Sequence, residues 1–213
     1  MKKEQIERFF ATLQAANPRP VTELEYTSPF ELLCAVLLSA QATDVGVNKA
    51  TRRLFPIANT PRQMLELGLE GLEERIRTIG LYRSKARHLL QTCRILLDRH
   101  GGQVPRTREE LEELPGVGRK TANVVLNVVF GEPTMAVDTH IFRLGNRTGL
   151  APGKTPREVE QRLLERIPAQ YLHDAHHWLI LHGRYVCTAR KPHCERCAVI
   201  DCCDYPDKTA PKP

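Results

Sequence analysis

The segment from Leu114 to Val129, LPGVGRKTANVVLNVV, combines a glycine-rich turn with a lysine at the start of a predicted helix. Gly116 and Gly118 let the backbone approach another group closely, and the first N–H groups of a helix lack helical partners. Such a turn favours an anion, most naturally a phosphate. Lys120 falls where the helix dipole stabilises an ammonium poorly, which makes its neutral amine a candidate nucleophile. A plain helical corner with a surface lysine explains the turn alone equally well.

A second group that could do chemistry is a run of cysteines near the C-terminus. Its members have the spacing C-x6-C-x2-C-x5-C: Cys187, Cys194, Cys197 and Cys203. Four thiolates in a short loop can enclose one metal centre, and the spacing allows zinc or a four-iron four-sulfur cluster. An odd total of 7 cysteines argues against a disulfide framework. Arg190 and Lys191, between the first two ligands, would be pushed outward and could contact phosphates.

The remaining cysteines and a histidine group receive simpler interpretations. Cys202 is an extra thiol beside Cys203, whereas Cys34 and Cys93 lie in apolar helices and are predicted core residues. Four histidines surround an apolar run near the C-terminus: His173, His176, His177 and His182. They lack the H-E-x-x-H arrangement of a zinc helix, so we expect packing and hydrogen bonding, with phosphate contact as the alternative.

Three further positions carry two interpretations each. Asp138 is predicted to cap the helix that follows it, and a rigid capping carboxylate could also stabilise a cationic transition state near Lys120. Gln41 ends a core helix and could probe a ligand, although on the residues alone a turn or capping role is favoured. Leu81 lies in a predicted turn, where it could pack back on the core or enter a duplex as a wedge.

Composition bounds the class of protein. The chain has 213 residues, 41% of them hydrophobic, with a formal net charge of +6 that suits a polyanionic partner. No apolar run is long enough to span a membrane, and Ile6, Phe9, Phe10 and Leu13 fit a helix face rather than a signal peptide. We therefore expect no membrane association and a cytoplasmic, nucleoid-associated protein.

Nearly every segment predicts a helix, so the fold class is all-α. Ser28, Thr60, Thr107 and Thr155 each begin a capping box, and Ser84 is predicted to cap another helix. The expected helices are near 2–16, 29–40, 45–55, 61–68, 71–79, 85–100, 107–114, 119–130, 139–147, 156–166 and 170–183. The helix over 29–40 is apolar on nearly every side and should be buried. Residues 208–213 are predicted to fray.

Four motifs together resemble the endonuclease III family of helix-hairpin-helix DNA glycosylases. They are Pro29 to Ala50, Leu114 to Asn127, AVDTHIFR from Ala136 to Arg143, and His176 to Cys203. The resemblance covers nearly the whole chain. It implies a six-helix domain over 22–132, with the hairpin at about 107–130. It implies a second domain, 1–21 plus 133–213, with a cluster loop over 187–203 and the active site in the cleft between the two.

The resemblance also implies the site residues. Lys120 and Asp138 would be catalytic, and the four spaced cysteines would bind one four-iron four-sulfur cluster, with Cys203 chosen over Cys202. The implied DNA contacts are Gln41, Leu81, Gly116, Val117, Gly118, Arg119, Thr121, His140, Arg190 and Lys191.

The implied activity is base excision repair by a monomer acting on double-stranded DNA with damaged pyrimidines or abasic sites. The base would be flipped out, Lys120 would attack C1′, and the Schiff base would permit β-elimination on the 3′ side. A monofunctional adenine glycosylase is a competing hypothesis, but that branch lacks a lysine at this position and carries a further C-terminal domain. The other alternative is a non-catalytic DNA-binding module, against which the combination of Lys120 and Asp138 argues.

Overall fold

A computed structural model of the chain describes residues 1–209. The predicted tail therefore lies partly outside the described residues, at 210–213. Ten α-helices occur in the described part, and no strand does. They are α1 Lys3–Ala16, α2 Pro29–Ser39, α3 Asp44–Leu54, α4 Pro61–Ile76, α5 Tyr82–His100, α6 Arg108–Glu112, α7 Arg119–Phe130, α8 Thr139–Thr148, α9 Pro156–Arg166 and α10 Leu172–Tyr185. The predicted all-α class is confirmed.

The helix starts follow the predicted caps. The side chains of Ser28, Thr60, Thr107 and Thr155 each accept a hydrogen bond from the backbone N–H three residues on. In three of the four boxes the returning Glu or Gln accepts from the backbone N–H of the residue before the cap rather than from the cap's own N–H. Glu158, for example, accepts from Lys154 N–H at 3.0 Å. These local contacts set where the helices begin.

The start of α5 differs from the prediction. Ser84 lies inside the helix, and Leu81 occupies the cap position with left-handed backbone angles, φ 59° and ψ 28°. The Leu81 carbonyl accepts the first helical hydrogen bond from Lys85 N–H at 3.1 Å. The expected break between 61–68 and 71–79 is present as a kink at Gly68, where φ is 70°, inside α4.

The chain forms two compact units. One unit is Thr22–Gly131, and it holds α2 to α7. At its centre is α2, in which every residue from Phe30 to Leu38 is buried, as the sequence predicted. It packs against α3, α5 and α7. One buried helix therefore contacts the helix that follows it, the helix that follows Leu81, and the second helix of the hairpin.

The other unit combines Met1–Val21 with the chain from Glu132 onward. Its core joins α1 to α8, α9 and α10, and its aromatic centre is Phe9, Phe10, Tyr171 and Trp178. The indole Nε1 of Trp178 donates to the Asn17 carbonyl at 2.8 Å. Among the described residues, no helix is both long enough and apolar enough to cross a membrane.

Candidate functional site

The glycine-rich turn forms a tight corner between α6 and α7. Val117 N–H donates to the Leu114 carbonyl at 3.0 Å, and the first hydrogen bond of α7 runs from Ala122 N–H to the Gly118 carbonyl at 2.9 Å. The backbone N–H groups that precede Ala122 therefore lie outside the helical pattern at a positive dipole end. This geometry is suited to a phosphate oxygen.

The two glycines of the turn have different structural roles. Gly116 has φ 80°, and a Cβ there would lie 2.8 Å from Nδ1 of His88, so only glycine fits without strain and without displacing the His88 side chain. Gly118 has ordinary extended angles, and a Cβ there would meet nothing within 4 Å. Gly116 thus shapes the corner, whereas Gly118 leaves an open approach to the start of α7.

The side chains around the turn differ in their exposure to solvent. Lys120 is exposed on the first turn of α7, and Arg119 and Thr121 are half-buried beside it. Val117 is buried, so a ligand would meet its backbone rather than its side chain. Arg108 Nε donates to Asn123 Oδ1 at 2.9 Å and ties α6 to α7, a contact that sequence reasoning missed.

Gln41 and Leu81 share an unusual backbone conformation. They are the non-glycine residues with positive φ in the described part of the chain, at 55° and 59°. Gln41 is exposed, and α3 is capped by Thr43, whose hydroxyl accepts from Gly46 N–H at 3.2 Å. Leu81 is 61% exposed, so the interpretation that it packs back on the core is wrong. Strained, exposed residues of this kind concentrate at binding sites.

In the other unit, Asp138 caps α8. Its Oδ1 accepts hydrogen bonds from His140 N–H at 2.8 Å and from Ile141 N–H at 2.9 Å, so the predicted capping role is confirmed. The carboxylate is half-buried and fixed by two backbone donors, and His140 is half-buried next to it. A carboxylate held in this way can stabilise a positive charge without reorganising.

Two arginines one turn apart on α8 bind the start of the cysteine loop, and sequence reasoning assigned them no role. Arg143 donates to the carbonyls of Gly183 at 2.7 Å and Cys187 at 3.1 Å. Arg147 donates to the Thr188 carbonyl at 2.7 Å, and its Nη1 lies 3.5 Å from Cys187 Sγ. Their spacing of four residues on one helix face was the available signal.

The four spaced cysteines line one cavity. Their thiols interact electrostatically, and burial raises the pKa of Cys197 to about 11 and raises that of Cys203. Tyr205 N–H donates to Cys203 Sγ at 3.4 Å. Within the described chain, no three His, Cys, Asp or Glu side chains are grouped so that they could hold a single metal ion.

The other three cysteines lie apart from that cavity. Cys202 is buried and its Sγ accepts a hydrogen bond from Arg8 Nε at 3.2 Å, while Cys203 lines the cavity. Cys34 and Cys93 are fully buried, which confirms their predicted core role. Burial is the main reason that the pKa values of both are raised, so they are poor nucleophiles.

The cations predicted to face outward are exposed. Arg190 and Lys191 lie on the surface of the cysteine loop, whose backbone is closed by Thr188 Oγ1 donating to the Lys191 carbonyl at 2.6 Å. The loop therefore presents two exposed positive side chains.

The histidines mostly pack, as predicted. His176, His177 and His182 are buried, whereas His173 is exposed and lies 2.8 Å from Asp174. Burial lowers the pKa of His182 to about 4, and its Nε2 lies 3.6 Å from Cys197 Sγ at the cavity wall.

Comparison with known sequences gives a clear match. Residues 34–169 match the family model described as HhH-GPD superfamily base excision DNA repair protein. Endonuclease III of Escherichia coli (strain K12) is 61% identical over 208 residues, which cover 98% of this chain and 99% of that protein. Endonuclease III of Haemophilus influenzae (strain ATCC 51907 / DSM 11121 / KW20 / Rd) is 59% identical with the same coverage.

Solved structures agree with this match. A trapped endonuclease III–DNA covalent intermediate, the estranged-adenine complex, superposes with a TM-score of 0.89 at 46% identity, covering 96% of both chains. A non-covalent endonuclease III–DNA complex superposes with a TM-score of 0.89 at 45% identity, also over 96% of both chains.

Proposed function

The chain belongs to the endonuclease III family of base excision DNA repair proteins, and we propose that Lys120 is the nucleophile of its reaction. Members of this family are DNA glycosylases with AP lyase activity that act through a lysine Schiff base and β-elimination. The observation that carries the assignment is the placement of Lys120. It is an exposed lysine on the first turn of α7, directly after a turn shaped for phosphate.

The proposed chemistry follows from that placement. The amine nitrogen of Lys120 attacks C1′ of an oxidised pyrimidine nucleotide that has been flipped from the stack, and the C1′–base bond breaks with its electrons leaving on the base. Ring opening gives a Schiff base between Lys120 and C1′. Loss of a proton from C2′ then expels the 3′ phosphate, which cuts the strand by β-elimination.

We assign Asp138 the role of stabilising positive charge on the sugar. Its carboxylate is held by two backbone N–H donors, so it is already oriented before the substrate arrives. We also propose that the DNA backbone is bound by the backbone of the turn and by the nearby side chains and loop cations. These are Gly116, Val117, Gly118, Arg119, Thr121, His140, Arg190 and Lys191. Gln41 and Leu81 would enter the base stack.

We propose that the cysteine loop binds one four-iron four-sulfur cluster. Endonuclease III homologues are known to carry such a cluster. Zinc, which requires all four sulfurs at about 2.3 Å from one ion, is the alternative, and the position of the four cysteines along one cavity supports a site for such a cluster. Cys187, Cys194, Cys197 and Cys203 would hold it. The bound cluster would cross-link the loop and so fix the backbone that carries Arg190 and Lys191. Iron and labile sulfide near four atoms each per chain would support this, whereas stoichiometric zinc would contradict it.

Borohydride trapping tests the nucleophile. The protein is mixed with duplex DNA containing an abasic site, reduced with borohydride, and scored for a covalent protein–DNA species. Lys120→Ala should abolish trapping while DNA binding remains, and Lys49→Ala, which removes an exposed lysine of α3, should trap normally. Trapping that persists in Lys120→Ala would place the nucleophile elsewhere.

The two competing hypotheses lose support. A monofunctional adenine glycosylase and a non-catalytic DNA-binding module both fit poorly with 61% identity to an endonuclease III over 98% of this chain. Since we expect its substrate to be double-stranded DNA, we propose that the protein acts at the nucleoid.

A further inference from the structure

Gln41 and Leu81, the non-glycine residues with positive φ in the described part of the chain, lie in loops that approach each other. A Cβ placed on Gly80 would be 3.9 Å from the Gln41 carbonyl, which is ordinary van der Waals contact. Gln41 follows the end of α2, and Leu81 precedes α5. Left-handed backbone is unfavourable for both side chains, so surrounding contacts must hold these loops in place.

Lys85 is bonded to both segments. Its backbone N–H donates to the Leu81 carbonyl at 3.1 Å, and its Nζ donates to the Leu38 carbonyl, three residues before Gln41, at 2.9 Å. Lys85 is 5% exposed, an unusual burial for a lysine. It lies 47 positions from Leu38 in the sequence, so this bond links two separate helix ends.

The charge on Lys85 suits this position. Its ammonium lies at the C-terminal end of α2, where the helix dipole is negative and the last carbonyls lack helical partners. Burial lowers the pKa of Lys85, and the Leu38 carbonyl is the acceptor that its ammonium contacts. A hydrogen bond from a charged donor in such a setting is stronger than a neutral one.

We propose that Lys85 is a positioning residue that joins the Gln41 and Leu81 loops into one preformed element for insertion into damaged DNA. The inference rests on the DNA contacts proposed above for those two loops. By fixing the end of α2 to the start of α5, Lys85 removes the need to order the two loops when DNA binds. Its contribution therefore appears in lesion recognition rather than in the bond-breaking steps.

The test measures affinity for a duplex carrying a tetrahydrofuran abasic-site analogue, which cannot form a Schiff base, and for the matched undamaged duplex. Lys85→Met keeps the unbranched stem but removes the ammonium. It should weaken binding to the tetrahydrofuran duplex about tenfold and leave binding to undamaged DNA nearly unchanged. Lys49→Met removes an exposed charge from the same unit as a control and should affect both duplexes equally.

A double-mutant cycle separates positioning from general stability. In a Gln41→Ala, Leu81→Ala background, Lys85→Met should cause no further loss, because the side chains that Lys85 orients are gone. A further tenfold loss in that background, or equal losses on both duplexes, would overturn the proposal. Lys85→Gln retains a donor and should fall between wild type and Lys85→Met; it replaces Lys85→Met in the cycle if that variant does not fold.

Failure of this inference can be told from failure of the proposed function. If the wild-type protein neither prefers the tetrahydrofuran duplex nor traps on abasic DNA with borohydride, the proposed function fails. If it does both while the Lys85 effect is additive, only the positioning role fails.

Discussion

Asp138 has two roles, capping of α8 and the proposed stabilisation of positive charge in the reaction, and substitution can separate them. Its Oδ1 accepts two backbone N–H groups at 2.8 and 2.9 Å at the start of α8, while the carboxylate charge is assigned to the reaction. Asparagine caps a helix about as well as aspartate but carries no charge. Asp138→Asn should therefore keep the cap and lose activity, whereas Asp138→Ala should lose both the cap and the activity.

The expected magnitudes follow from these contacts. Loss of the cap in Asp138→Ala should lower the free energy of unfolding by about 1 kcal/mol, which for a chain of this size lowers Tm by roughly 2–4 °C. Asp138→Asn should change stability by less than about 1 kcal/mol, the value of an anion at a helix N-terminus. Removal of one preorganised charge-stabilising group should reduce the rate about 10²–10³-fold in both variants.

The assay is single-turnover base release from a duplex with one oxidised pyrimidine, run well below Tm, beside thermal unfolding of each variant. Thr155→Ala is the matched control, because Thr155 caps α9 by accepting from Glu158 N–H at 3.2 Å in the same unit. It should lose similar stability and keep full activity. Wild-type rates in Asp138→Asn would refute the proposed role of the carboxylate, and an equal rate loss in Thr155→Ala would attribute the effect to stability.

Two further predictions concern the turn and the cluster. Gly116→Ala should destabilise the protein by about 1–3 kcal/mol, because the residue has φ 80° and its new Cβ would lie 2.8 Å from His88. Gly118→Ala should leave Tm unchanged and weaken DNA binding, because a Cβ there meets nothing in the protein. An unchanged affinity of Gly118→Ala for DNA would argue against close approach of a phosphate at this position. Cys203→Ser should lose cluster absorbance and iron, whereas Cys202→Ser should retain both, since Cys203 lines the cavity and Cys202 bonds to Arg8. The reverse result would exchange the two cysteines as the fourth ligand.

Much of the site could be predicted from the sequence because it depends on neighbours along the chain. The caps at Ser28, Thr60 and Asp138 are contacts over two or three residues, and each was predicted from residue type and spacing. The hairpin turn is equally local, since Gly116 has the positive φ that a tight corner before a helix requires.

The start of α5 marks where local reasoning ends. Ser84 has the residue type of a helix cap, yet α5 begins at Tyr82 with Leu81 in a left-handed conformation. At this helix start, Lys85 donates to the Leu38 carbonyl of α2, which lies 47 residues earlier in the chain. Local preference is a weak effect, and tertiary contacts override it.

By itself the sequence determined the helical class, most helix starts, the turn at Gly116 and the order of the chemically active residues. Only the tertiary structure decided which helix end Lys85 supports, over 47 residues, and that Arg143 reaches Cys187, over 44 residues. The physical reason is that a cap or turn is chosen among a few local conformations, whereas a long-range partner depends on how whole helices pack. No spacing along the chain encodes that packing.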